Sequence, residues 1–195
     1  MIEVRRETFR EMHRYAEVRT AFLVMSVLQP VPDASVAAGF ALEEHAVSTP
    51  YVKDYDAIAE NHPADWSEYF DTTHWQLFSA FHEGIRVGGA IAFVAAAADG
   101  EQASLATLWD LRVSPEHRRN GVATALFRGV EIWAAASGCE ALHIETQNIN
   151  VAACRFYARQ GCTLHAVRPG AYTDFPDEVR LIYRAILRRD VALKK

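Results

Sequence analysis

The chain has 195 residues, of which 50% are apolar and 11% aromatic, so a folded domain with a sizeable core is expected and a disordered chain is excluded. The formal net charge is −5, with 20 Lys and Arg against 25 Asp and Glu, and no basic stripe occurs. A nucleic-acid partner held by phosphate contacts is therefore disfavoured, and a cationic substrate suits the mild acidity.

Cysteine and histidine usage argues against metal and disulfide frameworks. Cys139, Cys154 and Cys162 are odd in number and match no such spacing, so three reduced, mostly buried thiols in a cytoplasmic protein are expected. The eight histidines are scattered, which predicts no metal site. Residues 1–6 lack the apolar core of a secretory signal, and the longest apolar stretch, residues 87–98, is too short to span a membrane.

The first seventy residues carry weak periodicity. Their predicted elements are, in order, an edge-type strand at 2–7, a helix at 10–18, a strand or helix at 20–28 broken by Pro30 and Pro32, an ambiguous stretch at 36–47, and a loop with a short helix at 51–70.

From residue 75 the pattern is sharper. The predicted elements are strands at 75–82 and 85–96, turns at Glu83-Gly84 and Asp99-Gly100, a strand at 103–113, a loop at 114–117, a helix at 121–136 ended by Gly138, a short strand at 141–145, a helix from Asn150 to about residue 160 stopped by Gly161, and strands at 162–167 and 179–187. This order predicts a mixed sheet with helices packed on it, an α/β or α+β fold.

The most informative segment is residues 108–126, where a strand ends, a basic loop follows and a helix opens. Helix N-termini present unpaired N–H groups and bind phosphate. Gly121 allows the backbone to come close to an anion, small Ala123 keeps that approach open, and Arg118 and Arg119 add positive charge. These features predict a diphosphate site, although basic residues and glycine are also common at ordinary helix starts.

The same segment resembles a known signature. Arg118-x-x-Gly121-x-Ala123 fits the [QR]-x-x-G-x-[GA] motif of the GNAT superfamily of N-acetyltransferases, and residues 144–162 are similar to its second block, with wording closest to streptothricin acetyltransferases. The resemblance is specific over residues 105–187 and thin over 1–74. It implies a mostly antiparallel central sheet, flanked by helices and splayed between its two middle strands. It also implies a single domain, 1–195, with a variable acceptor-side region (1–74) and an acetyl-CoA-binding core (75–188).

The resemblance further implies a binding site for acetyl-CoA as co-substrate. Exposed backbone of the strand before the loop would pair with the pantetheine amides, and loop amides would hold the pyrophosphate. The implied cofactor-binding residues are Leu111, Arg112, Val113, Arg118, Arg119, Asn120, Gly121, Val122, Ala123, Thr124, Asn150 and Tyr157. Asn150 fits a helix cap equally well, and both roles can hold together.

Two catalytic roles are predicted. Tyr157 matches the tyrosine of the family that protonates the departing thiolate, a proton that a phenol retains at neutral pH. Asp110 is the leading candidate base for the acceptor amine, directly or through water, and a substrate-anchoring or structural role is the alternative. Related enzymes often carry an acid one residue earlier, where this chain has Trp109. Glu145 is a second candidate base.

The substrate is expected to be a small-molecule primary amine. A loose set of acidic and aromatic residues suits an ammonium-bearing acceptor or an ordinary solvated loop: Glu43, Glu44, Tyr51, Asp54, Tyr55, Asp56, Asp65, Trp66, Tyr69, Asp71 and Trp75. The alternatives are a protein lysine or N-terminus as acceptor, and a non-catalytic acyl-CoA-binding module. No nucleic-acid or membrane partner is expected, and the chain would be a monomer or a homodimer.

Overall fold

The computed structural model describes residues 1–94 and 105–187. In this part of the chain the elements are β1 (Ile2–Glu7), α1 (Met12–Ala16), β2 (Phe22–Pro32), β3 (Phe40–Lys53), α2 (Trp66–Tyr69), β4 (Trp75–His82), β5 (Ile85–Val94), β6 (Leu105–Val113), α3 (Val122–Ala136), β7 (Ala141–Gln147), α4 (Val151–Arg159), β8 (Thr163–Arg168) and β9 (Arg180–Ile186). Contacts divide the chain into two compact units, the first formed by residues 1–21, 54–142 and 187 onward, and the second by 22–53 and 143–186.

The first unit is built on an antiparallel sheet with the strand order β1-β4-β5-β6. Helix α3 packs on one face and buries Leu126, Phe127 and Val130 among its apolar side chains. Gly88 allows this close approach, because a Cβ there would lie 2.8 Å from the carbonyl oxygen of Arg112 and 3.0 Å from Val122. The opposite face is covered by α1 and Trp66, so both faces of the sheet are buried.

The second unit combines the long β2–β3 hairpin with α4 and the strands β7, β9 and β8, in that order. The unit boundary falls inside β7, whose residues 143–147 belong here. The hairpin is fastened within the unit by a hydrogen bond from Leu28 N–H to the carbonyl of Asn148, 2.9 Å long. Strands β8 and β9 pair antiparallel, with a bulge between Leu164 and Ala166.

The predicted fold class is confirmed: helices pack on mostly antiparallel strands. The predictions at 2–7 and 75–82 match β1 and β4 residue for residue, and Glu83 and Gly84 form the predicted turn with φ values of 51° and 80°. The end of the strand predicted at 85–96, the start of that at 103–113 and the Asp99-Gly100 turn lie outside the described residues.

The prediction that Pro30 and Pro32 break the chain is wrong. Strand β2 continues through both prolines, which pair with Leu42 and Phe40 of β3. A two-stranded sheet has only edge strands, so a residue without an N–H donor can sit on the outward side. Strand β3 extends to Lys53, beyond the start of the loop predicted at 51–70, because residues 51–53 pair with β2.

Candidate functional site

The loop after β6 turns sharply before α3 begins. Pro115–His117 form one 3-10 turn, and the backbone then takes positive φ values at Arg119 (65°) and Gly121 (80°). Gly121 is the N-cap residue of α3, and no side chain caps the helix there. Amide N–H groups at such a start lack a capping side-chain acceptor and attract anions. This geometry fits the diphosphate that the sequence predicts.

The space outside the loop is open at Gly121. A Cβ at this position would meet no heavy atom within 4 Å, and Arg119, Asn120 and Gly121 are all exposed. An anion can therefore approach the backbone closely, and a side chain at position 121 would project into that approach. The residues that the resemblance assigns to the pyrophosphate thus fit the diphosphate of acetyl-CoA.

The Arg118 side chain fixes the loop to the segment that precedes β2. Its guanidinium donates to the carbonyls of Thr20 (3.3 Å) and Ala21 (3.0 Å), and its Nε donates to that of Val113 (3.2 Å). Partial burial lowers the pKa of Arg118. The side chain is therefore engaged by backbone carbonyls, while Arg119 is exposed and has no such partner among the described residues.

Strand β6 carries a bulge next to the predicted base. The register with β5 passes from Ile91 opposite Asp110 to Ala92 opposite Leu108, which leaves Trp109 as the additional residue. Bulges re-aim side chains, and they are common next to active sites. Trp109 is 37% exposed and the Asp110 side chain 20% exposed, so both retain access to solvent.

One oxygen of Asp110 receives two hydrogen bonds. The hydroxyl of Tyr15 donates to Oδ2 at 2.6 Å, and Nε of Arg112 donates to the same oxygen at 2.7 Å. The Arg112 guanidinium lies 4.7 Å from the Tyr15 ring centroid and also donates to Asp56, at 3.2 and 3.3 Å, and to the carbonyl of Val18 at 3.1 Å. Within the described chain, Oδ1 of Asp110 accepts no further hydrogen bond.

This set of charged groups is buried and unbalanced. The Arg112 side chain is 2% exposed; burial lowers its pKa, but attraction by Asp110, with Tyr15 and Asp56, raises it well above its usual range. Burial and the neighbouring Asp110 likewise raise the pKa of Tyr15, so its hydroxyl keeps its proton. Two carboxylates, Asp56 and Asp110, face one guanidinium, which leaves a net charge of −1.

Aromatic rings surround the bulge. The Trp109 ring lies 5.0 Å from those of Phe70 and Trp75 and 6.1 Å from that of Trp66, measured between centroids. Trp66 in turn contacts Tyr15, at 6.4 Å, so the rings and the Asp110 carboxylate lie on the same face of the sheet. Trp109 and Phe70 are 37% and 39% exposed, so part of each side chain is accessible to a cation.

The residues expected to bind the acceptor divide between the units. In the first, Trp66 and Trp75 join the rings around Trp109, and Asp56 pairs with Arg112. Asp54 and Asp71 accept local hydrogen bonds in turns instead. The second unit contains Glu43, Glu44 and Tyr51 on the exposed parts of β3, with Glu44 bound to Arg155.

Two of the predicted site residues belong to α4 in the second unit. Asn150 is the N-cap of α4, and its Oδ1 accepts a hydrogen bond from the Ala153 N–H at 3.1 Å, so the cap role that the sequence left open is present. Tyr157 is 6% exposed and contacts the rings of Phe156 (5.3 Å) and Tyr183 (5.9 Å).

The three cysteines are buried, as predicted. Burial raises the pKa of Cys154, the one nearest Tyr157 in sequence, to about 12. A thiol nucleophile must be a thiolate, so Cys154 is poorly suited to carry an acyl group.

Glu145, the second candidate base, lies in a separate polar cluster. Its carboxylate accepts a hydrogen bond from the Tyr172 hydroxyl at 2.9 Å and lies 3.2 Å from Nε of Arg180. Burial and the nearby Glu145 raise the pKa of Tyr172 to about 12. The side chain of Glu145 is 40% exposed, so solvent screens this pair more than the one at Asp110.

No group of His, Cys, Asp and Glu side chains among the described residues could hold a metal ion. In the same residues, none of the helices has the length and apolarity needed to cross a membrane.

Sequence reasoning missed Tyr15 and the side chain of Arg112. Tyr15 is in a weakly patterned helix 95 residues before Asp110, and no local signal indicates their contact. For Arg112 the sequence does contain a local signal. Arg112 follows Asp110 by two residues in a strand, which places both side chains on one face and favours an ion pair.

The chain is similar in sequence to known acetyltransferases. A family model described as the acetyltransferase (GNAT) family matches residues 42–162, more than half of the chain. Streptothricin acetyltransferase A of Bacillus subtilis (strain 168) is 38% identical over 71 residues, which is 36% of this chain. That match spans only 41% of the length of the relative.

Two solved structures share the fold across almost the whole chain. A nourseothricin acetyltransferase has a TM-score of 0.75 at 22% identity and covers 96% of this chain and 99% of its own. A candidate streptothricin acetyltransferase of Bacillus anthracis strain Ames, crystallised with acetyl coenzyme A, has a TM-score of 0.77 at 20% identity over 95% of this chain and 99% of its own.

Proposed function

Because the chain belongs to the acetyltransferase (GNAT) family, we propose that it transfers an acetyl group from acetyl-CoA to a primary amine of a small cationic acceptor. The observation that carries the acceptor class is the Asp110 carboxylate. It is partly exposed, it belongs to a set of partly buried charges that sum to −1, and it lies beside the partly exposed Trp109 ring. An ammonium group complements both the charge and the ring.

Support for acetyl-CoA as the donor comes from the loop before α3. Arg119 and Gly121 take left-handed backbone conformations and α3 begins without a side-chain cap, so the amides of residues 119–124 are the groups that would bind the diphosphate. The backbone of Leu111 to Val113 would bind the pantetheine arm, and Asn150 would contact it while it caps α4.

The proposed chemistry is direct transfer in a ternary complex. The donor supplies the acetyl group of its thioester. The amine nitrogen bonds to the carbonyl carbon, the C–S bond breaks, and the sulfur of coenzyme A leaves as a thiol. Tyr157 donates its hydroxyl proton to the sulfur, and Asp110, directly or through water, accepts the proton that the amine loses. Neither step requires a covalent enzyme intermediate.

The proposal of a small acceptor draws on the relatives. The curated relative and the two solved structures are named for streptothricin or nourseothricin, both small molecules. An acidic, aromatic-lined position in this chain is consistent with an acceptor of that kind.

The direct test is a mass-spectrometric search for acetylated products. The purified chain is incubated with acetyl-CoA and a panel of streptothricin, nourseothricin, spermidine and a lysine-containing peptide. We expect a product heavier by one acetyl group from a small cationic amine and much slower reaction of the peptide. Acetylation of the peptide alone would replace the small acceptor with a protein, and binding of acetyl-CoA without any product would indicate a non-catalytic module.

The variant Tyr157→Phe tests the general acid. Its turnover number should fall about 100-fold or more while KM for acetyl-CoA changes little, because the ring packing is kept and only the proton donor is lost. The matched control is Tyr183→Phe, which removes the hydroxyl of a buried ring that contacts Tyr157 and should keep turnover. Full turnover of Tyr157→Phe across about pH 6 to 9 would show that the general-acid assignment is wrong.

A further inference from the structure

The Asp110 carboxylate is held by one oxygen only. Both described donors, the Tyr15 hydroxyl (2.6 Å) and Nε of Arg112 (2.7 Å), bind Oδ2. Two donors on one oxygen fix the rotation of the carboxylate about its bond to the rest of the side chain, and they stabilise negative charge on it. Oδ1 is left without a hydrogen bond among the described residues, on a side chain that is 20% exposed.

The groups that hold Oδ2 are themselves immobile. Tyr15 is fully buried, and its ring packs so closely on the backbone of β5 that a Cβ at Gly89 would fall 2.5 Å from it. Arg112 is fixed by Asp56 on one side and by the Val18 carbonyl on the other, and it stacks over the Tyr15 ring at 4.7 Å. A rigid support of this kind is what a functional carboxylate needs to keep its direction.

The charges of the same groups favour a cation at Oδ1. Arg112 balances one of the two carboxylates, Asp56 and Asp110, and the described ion pairs provide no second cation for the other. Of the two carboxylates, Asp110 lies beside the exposed ring of Trp109. An ion pair with only a structural role would be more stable if its charges were balanced. Here one negative charge is left uncompensated, on the side of Asp110, which is the more exposed.

We propose that Tyr15 and Arg112 are positioning residues, which hold Asp110 by Oδ2 so that Oδ1 faces the amine of the acceptor. The inference rests on the proposed function and adds the residues that orient its acceptor-side carboxylate. Asp56 completes the support by holding Arg112. Because Tyr15 acts only through Asp110, its hydroxyl should matter for the amine and not for acetyl-CoA.

The test is a double-mutant cycle of Tyr15→Phe and Asp110→Asn, with streptothricin as the acceptor, or the panel amine that the wild type acetylates fastest. Tyr15→Phe should lower kcat/KM for the amine by about 10- to 100-fold, since a misdirected group costs that much, while KM for acetyl-CoA stays within a factor of about two. In the Asp110→Asn background the same change should have little further effect. Binding of the amine without acetyl-CoA, followed by fluorescence of the tryptophans near Asp110, should weaken in Tyr15→Phe.

A matched comparison is Tyr172→Phe, which removes another phenol bound to a carboxylate, that of Glu145, at a partly buried position. It should leave kcat/KM for the amine close to the wild-type value. The inference would be overturned if the effects of Tyr15→Phe and Asp110→Asn on kcat/KM were additive. It would also be overturned if Tyr172→Phe lowered kcat/KM for the amine and Tyr15→Phe did not. Failure of the wild type to acetylate any panel amine would instead overturn the proposed function. Thermal unfolding of each variant separates lost positioning from lost stability.

Discussion

At the scale of single residues, two left-handed positions shape the loop before α3, which is predicted to bind a diphosphate. Arg119 has φ of 65°, a conformation that costs a residue with a Cβ about 1 kcal/mol, and Gly121 has φ of 80°. Residues in such conformations concentrate at ligand sites, where the backbone must turn its amides towards the ligand. At Gly121 this conformational free-energy cost is avoided, because glycine has no Cβ, and the space through which an anion would approach the backbone stays open.

The variant Gly121→Ala should raise KM for acetyl-CoA about 10-fold or more and destabilise the fold by about 1 kcal/mol, because the methyl group occupies the approach to the loop and strains the backbone. Calorimetry with acetyl-CoA and thermal unfolding measure the two effects. Gly39→Ala is the matched control: its φ is 74° and a Cβ there also meets nothing within 4 Å. Gly39→Ala should lower the free energy of unfolding by a similar amount and leave the affinity for acetyl-CoA unchanged. Equal affinities of the two variants for acetyl-CoA would contradict the assignment of the loop to the diphosphate.

At the scale of elements, the edge strand β1 is fastened by a charged contact across the sheet. Arg86 on β5 donates to the Glu7 carboxylate at 2.8 Å and also to Ser79 of β4, which lies between the two strands. Burial raises the pKa of Glu7, but hydrogen bonds from Ser79 and Arg86 outweigh it and leave that pKa below its ordinary value. The ionised form of Glu7 therefore stabilises the folded state.

This contact predicts a pH dependence of stability. Because the pKa of Glu7 is lower in the folded state, its contribution is complete above the ordinary glutamate pKa of about 4.3 and is lost as the pH falls through the folded value. Glu7→Gln should lower the free energy of unfolding at neutral pH by about 1 kcal/mol and make it less dependent on pH below about 4.3. Denaturant unfolding at a series of pH values measures both.

The control for this prediction is Glu3→Gln on the same strand. Glu3 pairs with Arg5 at the surface, and any effect of the change should disappear at high salt, which screens exposed charges. An identical pH profile for wild type and Glu7→Gln would show that the Glu7–Arg86 contact contributes nothing.

At the scale of the whole molecule, the predicted catalytic residues are contributed by both units. Residues 118–124 and Asp110 lie in the first unit, and Asn150 and Tyr157 lie in the second. The single-domain arrangement that the sequence predicts stays a prediction. Within the described residues, the cysteine nearest the predicted general acid is buried, and its pKa is raised to about 12.

Transfer through a ternary complex predicts intersecting lines when initial rates are measured at varied concentrations of both substrates. The physical reason is that a buried thiol with a raised pKa is a poor nucleophile, so Cys154 is poorly suited to carry the acetyl group. Cys154→Ala should retain turnover. Parallel lines, together with an acetylated form of the protein in the mass spectrum, would contradict direct transfer.

The sequence by itself determined most elements of the fold and the position of the turn before α3; that this turn binds a diphosphate stays a prediction. These depend on local signals: alternation along β1 and β4, the stripe along α3, glycines at 121, 138 and 161, and the motif from Arg118 to Ala123. Such signals act over one turn or one strand, so they can be recognised without knowing what the segment packs against. The break predicted at the prolines of β2 was wrong, because the free-energy cost of a proline in a strand depends on whether its position faces a partner strand.

Only the tertiary structure decided what surrounds Asp110. Tyr15 precedes Asp110 by 95 residues along the chain. Tyr15, Asp56 and Arg112 meet because α1 and the segment after β3 pack on the same face of the sheet as the β6 bulge. The direction of the Asp110 carboxylate depends in part on the hydroxyl of Tyr15, which comes from a distant segment and which no local pattern encodes. The residue type at position 110 is therefore a property of the sequence, while the proposed orientation of Oδ1 towards an amine is a property of the folded chain.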